Sequence, residues 1–177
     1  AFVGSTTTAT TSSGVATFTN LKLNLVGTYS LRATHATYGT VESNDFVIGN
    51  DVPAKIAFFG TVSNGQSGVA LTGVNVEIQD TLGNRVVSAT NAVTLTMQTS
   101  PGGAAFVVGS VTTMNAVAGL AAFSDVRVDK IGSYGLRATV GSWTADSNVF
   151  AVTPGPAHRL AFVGAISDGT SAVVLSP

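Results

Sequence analysis

A stretch of 19 residues occurs twice in this chain. Residues 14–32 read GVATFTNLKLNLVGTYSLR, and residues 119–137 read GLAAFSDVRVDKIGSYGLR. Corresponding residues are 105 positions apart as far as Tyr38 and Trp143. Beyond this pair the second copy is one residue shorter, so corresponding residues are 104 positions apart. This period matches one small globular domain of about 100 residues rather than a solenoid repeat of about 20 to 50. We therefore expect more than one copy of a single folded unit.

The repeat divides the chain into three parts. Residues 54–153 correspond to one complete unit, residues 1–49 to the second half of a unit, and residues 158–177 to the opening strand of a third. The connections between them are short and rich in glycine, proline and asparagine, so we expect the units to be held end to end. A half unit exposes an apolar face. We therefore expect a segment of a longer polypeptide, with completion by strands of a neighbouring chain as the alternative.

The composition excludes several classes of partner. Charged residues make up 10% of the 177 residues and the net charge is −1, so no basic patch is available for nucleic acid or an anionic membrane. The apolar content of 45% indicates a packed chain rather than a disordered one. Cysteine is absent, which excludes disulfides and thiol chemistry. No apolar run reaches about 18 residues, so we predict no membrane span.

Alternating residues predict strands throughout the chain. Val74, Val76 and Ile78 alternate with polar residues, which indicates a strand with one buried and one solvated face. Turn residues recur about every 8 to 12 positions, and helix signals are almost missing. The sequence therefore predicts an all-β fold with sandwiches of about seven strands per unit. The alternation slips between Phe123 and Val126, which predicts a bulge between them.

Five motifs follow one another in the complete unit. They are PAKIAFFG at 53–60, VEIQDTLGNRV at 76–86, VTLTM at 93–97, GLAAFSDVRVDKIGSYGLRAT at 119–139 and SNVFAV at 147–152. In this order they resemble the bacterial immunoglobulin-like repeats of large surface and secreted proteins, the group that includes invasin and intimin. The resemblance covers the whole chain. It implies tandem immunoglobulin-like β-sandwiches, end to end, outside the cell or at its surface.

The same resemblance implies a structural role in a fibre, a stalk or a surface layer. The partners that it implies are neighbouring repeats or copies of the same protein. GSYGL at 132–136, repeated as GTYSL at 27–31, also resembles the tyrosine corner of immunoglobulin folds. Leu136 stands where an antibody domain has its second cysteine, so the resemblance does not extend to antibody domains.

No residue set predicts catalysis, a cofactor or a metal. His35 and His158 have Val140 and Ala54 as counterparts, so neither histidine recurs, and we expect both at the surface. Glu42, Asp45 and Asp51 lie near the first boundary, where calcium-dependent arrays bind calcium between their domains. Their counterparts are Asp146, Val149 and Gly155, so this set of acids does not recur and a calcium site is not predicted. The chain is accordingly predicted not to be an enzyme.

Tyr38 and Trp143 occupy matching positions at the tip of the last hairpin of each copy. They are the candidate partner contacts, and packing over the end of the core is the reading that we favour. Two other functions remain open. One is an adhesin repeat that binds carbohydrate or a host protein through these tips, and the other is an accessory domain of a secreted polysaccharide hydrolase.

Overall fold

The computed structural model describes residues 2–157, 159–166 and 168–169, and these residues contain strands and no helix. The all-β prediction is confirmed. Residues 2–48 contain β1 (Thr11–Ser12), β2 (Val15–Ala16), β3 (Gly27–Tyr29), β4 (Arg32–His35), β5 (Gly39–Glu42) and β6 (Phe46–Ile48). The rest of the described chain contains β7 (Lys55–Phe58), β8 (Gly65–Gln66), β9 (Asn75–Gln79), β10 (Ala92–Thr99), β11 (Thr113–Asn115), β12 (Leu120–Ala122), β13 (Gly132–Val140), β14 (Trp143–Asp146) and β15 (Phe150–Thr153).

The strands from β7 to β15 form two sheets. The larger sheet has the order β11-β10-β13-β15-β8, with β14 also paired to β13, and the smaller has the order β12-β9-β7. All of these pairs are antiparallel except β15 with β8, which is parallel. This stretch therefore holds more strands than the seven predicted, partly because residues 143–153 form two strands with an interruption between them.

The interruption lies between β14 and β15, which both pair with β13. The backbone N–H of Ser147 donates to the carbonyl of Leu136 at 2.8 Å, and the Ser147 hydroxyl accepts the N–H of Leu136 at 2.9 Å. The side-chain oxygen of Ser147 thus accepts the bond that a backbone carbonyl would accept in a regular ladder. The ladder breaks at this point because no backbone group of Ser147 closes the second bond.

The core lies between the two sheets. Its buried cluster runs from Ile56 to Val152 and includes Val74, Val76 and Ile78, which the alternation predicts to point inward. Other members are Val93, Leu95, Phe123, Val126, Val128, Tyr134, Leu136, Phe150 and Val152. Met97 is half-buried against the same cluster. Two sheets that cover each other's apolar faces are a stable way to bury strands that are apolar on one side only.

The change of parity between Phe123 and Val126 is present, but it comes from a change of neighbour and not from the predicted bulge within one strand. Both side chains are buried, which requires a change of parity between them. Strand β12 has already ended, and the N–H of Phe123 donates to the Val74 carbonyl at 2.9 Å, whereas the Val126 carbonyl accepts from Leu71 at 2.8 Å. Residues 120–128 therefore do not form one continuous strand.

Residues 2–48 repeat the pairings of the second half of the complete unit. Ser12 pairs with Val15 as Val117 does with Leu120, and Gly27 pairs with Ile48 as Gly132 does with Val152. Arg32 likewise pairs with Glu42 as Arg137 does with Asp146. Phe2 is bridged to Leu23 as Phe106 is to Val128, although Phe2 and Phe106 are 104 positions apart, one fewer than the offset of their partners. The exposure of the side chains differs. Tyr29 and Leu31 are half-buried, whereas Tyr134 and Leu136 are fully buried. In the described part of the chain, no second sheet covers residues 2–48.

The division at 1–49, 54–153 and 158–177 stays a prediction. Residues 159–166 contain no strand, and the side chains of Leu160 and Phe162 are exposed. In the described residues, no helix has the length and apolar character that a membrane crossing requires.

Candidate functional site

The aromatic residues predicted to share one position do not share it. Trp143 begins β14 and pairs with Val140, whereas in the first copy Gly39 pairs with His35 and Tyr38 lies in the loop between them. The lost residue shortens this loop, so the two rings lie in different places. Trp143 is half-buried against the core, and Tyr38 is 86% exposed. A partner contact at either residue stays a prediction, but the two rings do not form a recurrent surface.

The other polar candidates serve local structure. The Nδ1 atom of His35 accepts the N–H groups of Thr37 and Tyr38 at 3.1 and 3.3 Å, and its ring stacks on Tyr38 with centroids 4.7 Å apart. Glu42 is paired with Arg32 at 2.6 Å. His158 lies outside the described residues. Within the ranges that the structure describes, no three histidine, cysteine, aspartate or glutamate side chains are grouped to hold a metal ion.

A buried aspartate organises the boundary between the two copies. Asp80, which is 1% exposed, opens the DTLGN turn, in which Gly83 adopts a φ of 92° that glycine allows without strain. Its Oδ1 accepts the N–H groups of Leu82 and Asn84, each at 2.9 Å. Its Oδ2 accepts the side-chain amide of Asn84 at 2.9 Å and the N–H of Asp51 at 3.4 Å. Donors therefore occupy both oxygens, which leaves this carboxylate a poor cation ligand.

The same turn contacts the preceding copy. The side-chain amide of Asn84 donates to the Asn24 carbonyl at 3.1 Å, and that of Asn50 reaches the Arg85 carbonyl at 3.5 Å. We call residues 80–85, together with Asn24 and residues 50–51, the joint. It connects the half copy, the linker and the complete unit through hydrogen bonds.

The charge of Asp80 is compatible with its burial because of these bonds. Burial alone would raise the pKa of Asp80, but the hydrogen bonds from the side chain and backbone of Asn84, and from the backbone of Asp51 and Leu82, outweigh it. The pKa of Asp80 therefore lies below its ordinary value. A carboxylate that accepts several N–H groups is stabilised in its charged form.

The start and the end of the complete unit lie side by side. Strand β8 runs parallel to β15, with Gly65 opposite Val152 and Gln66 opposite Thr153. The N–H of Ser67 continues the ladder by donating to the Thr153 carbonyl at 2.9 Å. We call residues 62–67 and 148–153 the terminal clamp.

Two asparagine side chains lengthen the terminal clamp. Asn148 accepts the N–H of buried Val62 at 2.8 Å and donates to the Val62 carbonyl at 2.9 Å. Asn64 accepts the N–H of Ala151 at 2.8 Å. Each amide therefore stands in for one residue of a backbone ladder. The clamp extends well beyond the two residue pairs that form the parallel ladder itself.

The direction of the clamp determines how it responds to tension. A load that enters at Ala54 passes through β7, which is paired with β9, and pulls β8 against its chain direction. A load that leaves after Thr153 pulls β15 along its own direction. In a parallel pair these opposed forces act in shear, so the bonds across the pair are loaded together. An antiparallel pair pulled from one end would open one bond at a time.

Sequence reasoning missed the terminal clamp. From the sequence, Asn64 with Gly65 indicates a turn, and Asn148 indicates a break before the last strand. Their partners are 86 or 87 positions away, and no local sequence pattern predicts contacts at that distance. A signal was nevertheless present, because Ser147 and Asn148 recur as Ser43 and Asn44.

No protein-family model matches the chain, and no curated protein matches it. Among solved structures, a β-glycosidase from Bacteroides vulgatus matches with a TM-score of 0.41 and 12% identity. The match covers 78% of this chain, which spans 18% of the length of that structure.

The prediction that the chain is not an enzyme is contradicted by this comparison, because the β-glycosidase, a solved structure that it matches, is an enzyme. The exclusion of enzymes therefore does not stand. The likeness is too low to carry an activity over to this chain.

Proposed function

We propose that the chain is part of a tandem array of immunoglobulin-like β-sandwiches, of the kind found in bacterial surface and secreted proteins. Its role is mechanical: each unit spaces and transmits tension along an extracellular fibre, stalk or surface layer. Its partners are the neighbouring units of the array.

The terminal clamp is the observation that carries this proposal. A unit that bears tension between its ends gains most from bonds that load in shear, as those between β8, near its start, and β15, its last strand, do. Asn148 and Asn64 add such bonds ahead of the two-residue pairing of β8 with β15, on its N-terminal side. The joint adds a second feature that suits an array, because it holds the linker against the turn that opens at Asp80.

Single-molecule extension of the full chain, tethered at its two ends, tests the proposal. The complete unit should unfold in one step, in which its roughly 100 residues reach an extended length of about 330 to 360 Å and the chain gains that length less the end-to-end distance of the folded unit. Replacing Asn148 with alanine should lower the force of that step, because both bonds to Val62 are lost.

Asn44→Ala is the matched control. Asn44 is the counterpart of Asn148, but its amide donates to the neighbouring Asp45 carbonyl at 2.9 Å and joins no second strand. This variant should unfold at the force of the unaltered chain. A force that is unchanged in Asn148→Ala, or lowered equally in both variants, would rule out the clamp as the mechanical element.

A further inference from the structure

The sheet fragments formed by residues 2–48 present an uncovered apolar face. Phe18 is 41% exposed, whereas its counterpart Phe123 is 4% exposed. The same contrast separates the half-buried set Leu21, Leu23, Tyr29, Leu31, Phe46 and Ile48 from Val126, Val128, Tyr134, Leu136, Phe150 and Val152, which are at most 3% exposed. A groove of about 350 Å³ opens on this face between Phe2, Leu23, Tyr29 and Leu31. We call this surface the open face.

The edge of the open face is also unpaired. In the complete unit, β13 is bonded on one side to β10, with Met97 opposite Leu136 and Leu95 opposite Ala138. Strand β4 is the counterpart of that part of β13, and it pairs with β5 alone. Its other edge therefore offers free N–H and C=O groups, which proteins normally cover.

The complete unit shows what fits such a surface. There, residues 54–104 supply the covering strands, and three contacts mark their docking: the bonds from Val62 to Asn148, from Leu71 to the Val126 carbonyl, and from Phe123 to the Val74 carbonyl. On the open face the receiving positions are Asn44, Leu21 and Phe18. The face therefore has a complement of defined sequence type.

We infer that the open face is the docking surface for a strand segment of the same kind as residues 54–104, contributed in cis by the same polypeptide directly ahead of Phe2. The connection is short enough for this. Phe2 is bridged to Leu23 as Phe106 is to Val128, and the bond from the Val3 N–H to the Lys22 carbonyl repeats the one from Val107 to Arg127. A segment that ends where Ala104 ends would continue directly into this arrangement.

A second copy of the chain is a poorer occupant. Its residues 54–104 already cover its own residues 106–152, so an exchange of these segments between two molecules would uncover one face for each face that it covers. No apolar area would be gained. The inference concerns only how the open face is completed, and it does not depend on the mechanical role proposed above.

Hydrogen exchange on an extended chain tests the inference. A copy of residues 54–104 is fused directly ahead of Ala1, and amide exchange is followed by mass spectrometry. We expect exchange in β3 and β6 to slow by at least about tenfold, toward the rates of Gly132–Tyr134 and β15 in the same molecule. Asn44→Ala in the extended chain should reverse part of that gain.

The control extension carries serine at the added positions that copy Val76, Ile78 and Leu95, so it cannot pack on an apolar face. Equal protection by both extensions, or by neither, would overturn the inference. So would full protection of β3 and β6 in the unextended chain. Protection of the unextended chain that grows with concentration, together with dimerisation in sedimentation, would assign the open face to a second copy instead.

Discussion

The hydroxyl of Tyr134 donates a hydrogen bond to the backbone carbonyl of Lys130 at 2.8 Å, and the same bond joins Tyr29 to Leu25 at 2.9 Å. The tyrosine-corner motif thus forms the same contact in both copies. Only the surroundings differ, because Tyr134 is fully buried and Tyr29 is half-buried. One chain therefore contains a matched pair of sites for measuring what burial adds to a single hydrogen bond.

Tyr134→Phe should lower the free energy of unfolding of the complete unit by about 1 kcal/mol, because the bond is lost where water cannot easily replace it. Tyr29→Phe is the control and should have a smaller effect, since solvent reaches its side chain. Urea denaturation of each variant measures the difference. Equal losses would mean that burial adds nothing to this bond.

Alkaline stability should also depend on Tyr134. Burial, aided by the negative charge of Asp129, raises the pKa of Tyr134 above its ordinary value. The folded pKa then lies above the unfolded value of about 10, so the contribution is complete below pH 10 or so and is lost as the pH rises through the folded pKa. Denaturation midpoints between about pH 8 and 11 should fall less steeply in Tyr134→Phe. Identical pH profiles would contradict this assignment.

Local patterns predicted the parts of the fold that depend on near neighbours. Alternation at Val74, Val76 and Ile78 identified the buried face, and the slip before Val126 located a change of parity that the structure has. These features follow from the period of two along a strand. The tyrosine contacts also span only four residues, so a motif was enough to predict them.

Long-range contacts could not be predicted from the sequence. The bonds between Val62 and Asn148 join positions 86 apart, and only the folded topology brings them together. The equivalence of Tyr38 and Trp143 failed for a local reason, because deletion of one residue in a short loop moves a side chain from a turn into a strand. An alignment of the two copies does not show which loop residue was lost.

Leu136→Ala should destabilise the complete unit by about 2 to 5 kcal/mol, because the removed side chain leaves a cavity among closely packed neighbours. Leu136 is 0% exposed. Leu31→Ala, at the corresponding half-buried position, should cost clearly less, since its site is open to solvent. Chemical denaturation gives both values. A loss below about 1 kcal/mol at Leu136 would contradict its place in the core.

Gly119→Ala should destabilise the unit because backbone and space both oppose it. Gly119 has a φ of 74°, and an added Cβ would collide with the carbonyl of Val86. The cost should exceed about 1 kcal/mol, as for strained positions of this kind. Gly102→Ala is the control, because no atom lies within 4 Å of an added Cβ there. Thermal unfolding should separate the two variants, and equal melting temperatures would refute the expected strain.

Asp80→Asn should weaken the joint and change its response to acid. The pKa of Asp80 lies below its ordinary value because the hydrogen bonds it accepts outweigh the effect of burial. Its contribution to stability is therefore complete above the unfolded pKa of about 3.9 and is lost as the pH falls through the lower folded value.

At neutral pH, Asp80→Asn should cost about 1 to 3 kcal/mol, since the N–H groups of Leu82 and Asn84 lose a charged acceptor. Below about pH 4 the difference from the unaltered chain should shrink. Asp45→Asn removes a charge from an exposed residue of the first copy and should change stability by less than about 0.5 kcal/mol. Faster hydrogen exchange of Asp51 in Asp80→Asn, but not in Asp45→Asn, would link the loss to the joint, because the Asp51 N–H donates to Asp80. A difference that stays constant from pH 7 to pH 2 would show that the charge of Asp80 is not what stabilises the turn.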